Sequence, residues 1–152
     1  MTISYIGIIG AGAWGTALAQ SIRQAGCETV LWSFEPEVAK SINKTHENET
    51  YLPGIKLDAG IRATSILDEA AATDAILLVV PAQFMRGVAS QLSTMLARDI
   101  PVVVCAKGIE QNSAALMSEV VADTLPGRPV AVLSGPTFAA EVASGLPTAI
   151  TV

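Results

Sequence analysis

Lys107 follows an apolar run and precedes Gly108, so its ammonium falls where a buried strand would end. A cation in that place can polarise a carbonyl or neutralise a phosphate. Gly108 leaves room for a close backbone approach. The position alone suits a solvated lysine at a strand end equally well. A second stretch, Ser134 to Glu141 (Ser-Gly-Pro-Thr-Phe-Ala-Ala-Glu), also follows an apolar run and enters a helical pattern. It offers backbone N–H donors and the Thr137 hydroxyl, or it is an ordinary strand-to-helix loop. No partner completes an acid–base pair with Lys107, and no Ser-His-Asp arrangement is legible. His46, the only histidine, lies in the polar run Asn43 to Asn48 and reads as solvated. With Cys27 and Cys105 far from it and from each other, no metal site is expected.

The run from Ile6 to Ala19 is the most specific pattern: a hydrophobic strand that breaks on Gly10, Gly12 and Gly15 and enters an apolar helix. A dinucleotide pyrophosphate site needs that order. Gly10 permits the sharp turn, Gly12 lets a phosphate approach, and Gly15 lets the helix pack closely. The helix start contributes free N–H groups and a positive dipole end. The alternative is a tight turn that binds nothing. Such sites place an acidic residue at the end of strand two, or an Arg for a 2′-phosphate. Here the stretch is Trp32-Ser33-Phe34-Glu35, with no Arg or Lys. Ser33 or Glu35 is placed to reach ribose hydroxyls. Phe34 either stacks on adenine or packs against the next helix. NAD is favoured over NADP.

The elements that must position these residues alternate regularly. Strands are expected at Ser4 to Ile9, Thr29 to Trp32, Ile61 to Ala63, Ala75 to Val80, Val102 to Cys105, Val130 to Leu133 and Thr148 to Val152. Trp14, Leu18 and Ile22 mark a helix that stops at Gly26 as its C′ glycine. Further helices are expected over Pro36 to Asn43, Gln83 to Leu96, Ala114 to Thr124 and Phe138 to Ala143. Ser65 and Asp68 read as the capping box of a short helix. Ala75 to Val80 is nearly continuous in apolar residues, as in a strand covered on both faces. The order gives an α/β fold with a doubly wound, mostly parallel sheet.

With 152 residues the chain is one domain, large enough for a core. It is 51% hydrophobic but only 5% aromatic, so that core is aliphatic. A net charge of −5 without a basic run argues against a nucleic-acid partner. Any anionic ligand must be held by backbone amides and a few local cations. Both cysteines sit in apolar stretches and read as buried thiols of a reducing compartment. Residues 1 to 22 carry no charged side chain, yet polar and glycine residues interrupt them and no positive n-region precedes them. A buried strand and core helix explain this better than a signal peptide or a membrane span, and a cytoplasmic protein is expected.

Several stretches together resemble the NAD(P)-dependent sn-glycerol-3-phosphate dehydrogenase family. They are Gly10 to Ala19, Leu31-Trp32, Asn48 through Tyr51-Leu-Pro-Gly54, Val79 to Ala82, Ala106-Lys-Gly-Ile109, Met117 to Val120, Leu133 to Val142 and Gly145 to Ala149. They run in family order along the whole chain. The Lys-Gly and Ser-Gly-Pro-Thr-Phe pieces are the more specific. The resemblance implies a Rossmann-like fold and hydride transfer between NAD(P)H and dihydroxyacetone phosphate, giving glycerol 3-phosphate. It places Ala13 and Trp14 along the cofactor phosphates, Phe34 near the adenosine and Phe84 beside the cofactor. Lys107 would contact the nicotinamide side and the substrate, as the catalytic residue. Gly135 and Thr137 would border the substrate, and Ala139 would return to the cofactor.

Two departures stand out. Bacterial relatives often carry Arg where this chain has Ser33-Phe34. In the family, the proton-transferring lysine and the phosphate-gripping Arg belong to a helical C-terminal substrate domain, which the resemblance implies should follow residue 152. Residues 1–152 are therefore expected to be an NAD(P)-binding domain that binds NADH but turns over little substrate. The full-length protein is expected to be a homodimer. A related 3-hydroxyacid or ketopantoate-type dehydrogenase and a non-enzymatic dinucleotide sensor are the other readings.

Overall fold

The apolar runs form one six-stranded parallel sheet in the computed structural model, which describes residues 2–152. In chain order the elements are β1 (Tyr5–Ile9), α1 (Ala13–Gln24), β2 (Glu28–Trp32), α2 (Pro36–Thr45), β3 (Ile61–Thr64), α3 (Leu67–Ala71) and β4 (Ala75–Leu78). A 3-10 turn (Ala82–Phe84) leads into α4 (Met85–Leu92), followed by β5 (Val102–Val104), α5 (Met117–Thr124), β6 (Val130–Val132) and α6 (Ala139–Ala143). The sheet order is β3-β2-β1-β4-β5-β6. Strand order reverses between β1 and β4, and their carboxyl ends frame the crevice where open α/β sheets bind ligands.

Neighbouring strand residues face opposite layers, so the inner strands must be apolar on both sides, whereas edge strand β3 exposes Arg62 and edge strand β6 is mostly exposed. Ile9, Val30 and Leu78 join the core under α3, α4 and α5. Ile8, Leu31 and Leu77 join the core under α1 and α2. The expected doubly wound sheet is therefore present, with every paired strand parallel. Helix α1 ends as read: Gly26 adopts φ 89°, donating to the Arg23 carbonyl, while Cys27 N–H donates to the Ile22 carbonyl. That pair of bonds is a Schellman cap. Among the described residues no helix is long and apolar enough to cross a membrane.

Several expectations need correction. Ser65 does not cap α3; its carbonyl accepts the Trp32 indole N–H, and the Thr64 hydroxyl takes the Ile66 amide instead. Helix α5 begins at Met117 rather than Ala114, because Ala114 is left-handed (φ 56°) and Ile109 bridges Leu116. The Glu119 carboxylate then accepts the Leu116 amide and fixes the helix start. Helix α4 ends at Leu92, and the Arg128 guanidinium takes the Ser93, Leu96 and Ala97 carbonyls beyond it. Residues 148–152 form no strand. Only Thr151 pairs there, antiparallel, with Ser134. Cys27 is half-buried, whereas Cys105 is buried as expected; both are free thiols.

Candidate functional site

Four strand ends converge on a cleft of about 400 Å³ at the carboxyl edge of the sheet. Its walls are the first turn of α1, the segment after β4, the segment after β5 and the loop from β6 to α6. Of the residues singled out from the sequence, Ala13, Trp14, Lys107, Gly135, Thr137 and Ala139 all line it. Phe138 lines it too, though no role was read for it. Gly10, Gly12 and Gly15 form the turn that leads to its α1 wall. Phe34 and Phe84 do not line it; Phe34 stands exposed after β2 and Phe84 exposed in the 3-10 turn before α4.

The glycine turn is built by close contacts. Gly10 has φ 122°, and a Cβ there would come within 2.9 Å of the Val79 backbone. Around Gly12 the space is open, since an added Cβ would meet nothing within 4 Å. At Gly15 a Cβ would overlap the Gly10 carbonyl oxygen, so the close contact is with the turn itself. Among the described residues the Gly12 amide has no hydrogen-bond acceptor. An open concavity with a free amide and a helix N-terminus fits an anionic pyrophosphate.

Lys107 is exposed, and its ammonium donates to the Gly135 carbonyl at 3.0 Å, joining the loops after β5 and β6. The segment beyond it is braced from the 3-10 turn and α4. The Arg86 guanidinium makes 2.8 and 3.0 Å bonds to the two Glu110 carboxylate oxygens. Gln83 donates to the Ile109 carbonyl and accepts the Gln111 amide. Arg86 and Ser113 hold the Glu110 carboxyl below the usual carboxylate range. At the cleft floor, burial pushes the Cys105 thiol up to about 12, so it stays neutral. Lys107 is thus the one charged side chain lining the cleft among the described residues.

The end of β2 differs from what the sequence suggests. Ser33 is buried and occupied: its hydroxyl donates to Glu35 and accepts the Glu35 amide, so it is not free for a ribose. Glu35 is exposed, and its other carboxylate oxygen accepts the Tyr51 hydroxyl at 2.8 Å. That carboxylate holds the Tyr51 phenol above its ordinary value. Phe34 is 80% exposed and meets Trp32 edge-on, with centroids 6.4 Å apart, so it does not pack under the next helix.

The polar run read as solvated is largely structural. His46 closes α2 in a left-handed conformation, half-buried, with Nδ1 lacking a hydrogen-bond partner. The Asn43 amide pairs with both the N–H and the carbonyl of Ala63, covering part of edge strand β3. Asn48 is completely buried beside the glycine turn. Asn48 and Tyr51 were legible only as part of the family resemblance; a polar residue's burial leaves no mark in a short polar run.

Comparison with known proteins agrees with this geometry. The family model for the NAD-dependent glycerol-3-phosphate dehydrogenase N-terminus matches residues 5–152. A protein of Parvibaculum lavamentivorans named glycerol-3-phosphate dehydrogenase [NAD(P)+] is 56% identical over 99% of this chain and 46% of its own length. The Rhodospirillum rubrum protein of the same name is 55% identical over 98% of this chain and 43% of its own. A crystal structure of glycerol-3-phosphate dehydrogenase from Coxiella burnetii superposes with a TM-score of 0.91 at 34% identity, covering 97% of this chain and 46% of that one. The chain spans about half the length of these relatives, and over that span it belongs to the NAD-dependent glycerol-3-phosphate dehydrogenase family, matching its N-terminal region.

Proposed function

We propose that residues 1–152 bind NAD(H) and form the cofactor side of a glycerol-3-phosphate dehydrogenase active site. The observation that carries this is the single cleft shared by the start of α1, Lys107 and the Gly135 to Ala139 loop. The glycine turn would hold the pyrophosphate through the Gly12 amide and the first N–H groups of α1, at Ala13 and Trp14. Phe34 would border the adenosine, Phe84 and Ala139 the rest of the cofactor. When bound, NADH supplies a hydride to the carbonyl carbon of dihydroxyacetone phosphate. Lys107 stabilises the negative charge that develops on the carbonyl oxygen. Gly135 and Thr137 border the substrate, the latter with a hydroxyl that can orient it.

The Glu35 carboxylate suits ribose hydroxyls and repels a 2′-phosphate, which favours NAD over NADP. The two free thiols suit a reducing compartment such as the cytoplasm. Lys107 is the one charged side chain lining the cleft among the described residues, so no second charged group there forms an acid–base pair with it. The chain therefore binds NADH but reduces dihydroxyacetone phosphate at a rate close to that of its Lys107→Ala variant. Titration calorimetry with millimolar NADH checks the binding, and an absence of heat refutes it. NADH oxidation roughly tenfold or more above the Lys107→Ala control would refute the inactivity.

A further inference from the structure

Asn48 has no solvent exposure; two of its three amide contacts reach buried groups of the glycine turn and the start of α1, and the third reaches the Tyr51 backbone. Its Nδ2 donates to the Ala11 carbonyl at 2.9 Å and to the Thr16 hydroxyl at 2.8 Å. Its Oδ1 accepts the Tyr51 amide at 3.1 Å. The partners fix the orientation of the amide, because a carbonyl can only accept and a backbone N–H can only donate. Ala11 and Thr16 are themselves buried, so these bonds are shielded from water.

The Ala11 contact has a stereochemical consequence. Among the described residues no peptide is cis, and in a trans peptide the C=O and the next N–H point in opposite directions. Asn48 grips the Ala11 carbonyl from the interior. The Gly12 amide of the same peptide plane must then point away from Asn48, and among the described residues it meets no acceptor. Thr16 lies in the first turns of α1, and its amide also donates to the Gly12 carbonyl at 3.0 Å. One side chain therefore locks the turn and the helix start to each other.

The geometry points to Asn48 as the positioning residue that aims the Gly12 amide at the pyrophosphate of the bound dinucleotide. This rests on the proposal that the glycine turn holds that pyrophosphate, and it adds what holds the donor in place beforehand. A preset donor avoids the ordering cost that binding would otherwise carry. The same residue connects the turn to the other end of the cofactor site. Tyr51, whose amide Asn48 accepts, donates its hydroxyl to Glu35 at the end of β2.

The test compares ADP-ribose, which carries the pyrophosphate, with adenosine, which does not, each as a competitor of NADH on this chain. Asn48→Ala should weaken ADP-ribose about tenfold while adenosine shifts by less than about twofold. Asn48→Asp keeps the shape and the Tyr51 bond but sets a carboxylate oxygen against the Ala11 carbonyl. Only its protonated form can donate there. Its ADP-ribose affinity should therefore rise about fivefold or more from pH 8.5 to pH 5.5, with the unsubstituted chain changing by less than about twofold. Equal losses of ADP-ribose and adenosine in Asn48→Ala would overturn the assignment. So would a flat pH profile in Asn48→Asp, which decides the matter if the alanine variant does not fold. An unsubstituted chain that binds neither NADH nor ADP-ribose overturns the pyrophosphate reading and this assignment together. Binding by that chain with unchanged ADP-ribose affinity in Asn48→Ala overturns this assignment alone.

Discussion

Gly15 lies so close to Gly10 that a Cβ on Gly15 would overlap the Gly10 carbonyl oxygen. Three residues earlier Gly12 faces open space, with nothing within 4 Å of an added Cβ. Two glycines of one turn are thus required for different reasons. One is set by packing in the folded chain; the other, on the function proposed above, leaves room for the pyrophosphate.

Substitution by alanine separates the two. Gly15→Ala should destabilise the chain by roughly 2 kcal/mol, because backbone must move to admit the methyl group. Gly12 has φ −68° and ψ −178°, a conformation any residue adopts. Gly12→Ala should therefore melt within about 2 °C of the unsubstituted chain. Its NADH affinity should nonetheless fall about tenfold or more, since the methyl group occupies the phosphate's approach. Thermal melts and NADH titrations on both variants check this, and a Gly12→Ala chain binding NADH normally would contradict it.

At the end of β2, Glu35 presents a carboxylate held by Tyr51 and Ser33, and no cation stands in the Trp32 to Glu35 stretch. The charge should discriminate against a 2′-phosphate. Glu35→Gln should raise NADPH affinity relative to NADH by about fivefold, in line with removing one near repulsion. Tyr51→Phe, which frees the carboxylate without removing it, should leave that ratio within about twofold. Competitive titration of the two cofactors measures both. An unchanged ratio in Glu35→Gln would show that the carboxylate does not select the cofactor.

Strands β1, β4 and β5 were legible because a strand buried on both faces is nearly continuous in apolar residues, and these runs give way at Gly10, Pro81 and Lys107. Lys107 and the Ser134 to Glu141 loop could therefore be placed at one sheet edge from the sequence. What escaped was polar burial. Asn48 and His46 look alike in the run Asn43 to Asn48, yet one is wholly enclosed and the other closes a helix. Ser33 looked free for a ribose, but its hydroxyl is spent on Glu35. Ser65 and Asp68 have the spacing of a capping box, yet the N-cap of α3 is Ile66 and no side chain caps it, while the Ser65 carbonyl is taken by the Trp32 indole.

Three carboxylates make stability depend on acid. Asp74 accepts the amides of Ser4 and Tyr5 at 2.9 and 3.0 Å, tying the start of β1 to the residue before β4. These bonds, the Ser4 amide's first, hold its carboxyl below the usual carboxylate range. The Gly60 amide and Arg23 lower Asp58, and Arg86 and Ser113 lower Glu110. A carboxyl with a lowered value in the folded chain stays ionised there after it would have taken up a proton unfolded. Its contribution is complete above the unfolded value near pH 4 and is lost as pH falls through the lowered folded value. The melting temperature should therefore drop steeply below about pH 4. Asp74→Asn should melt lower than the unsubstituted chain at pH 7, and the gap should close towards about pH 3. Melting curves for the two chains from pH 7 to pH 3 measure this. A gap that stays constant across that range would mean that ionisation of Asp74 does not hold β1 to β4.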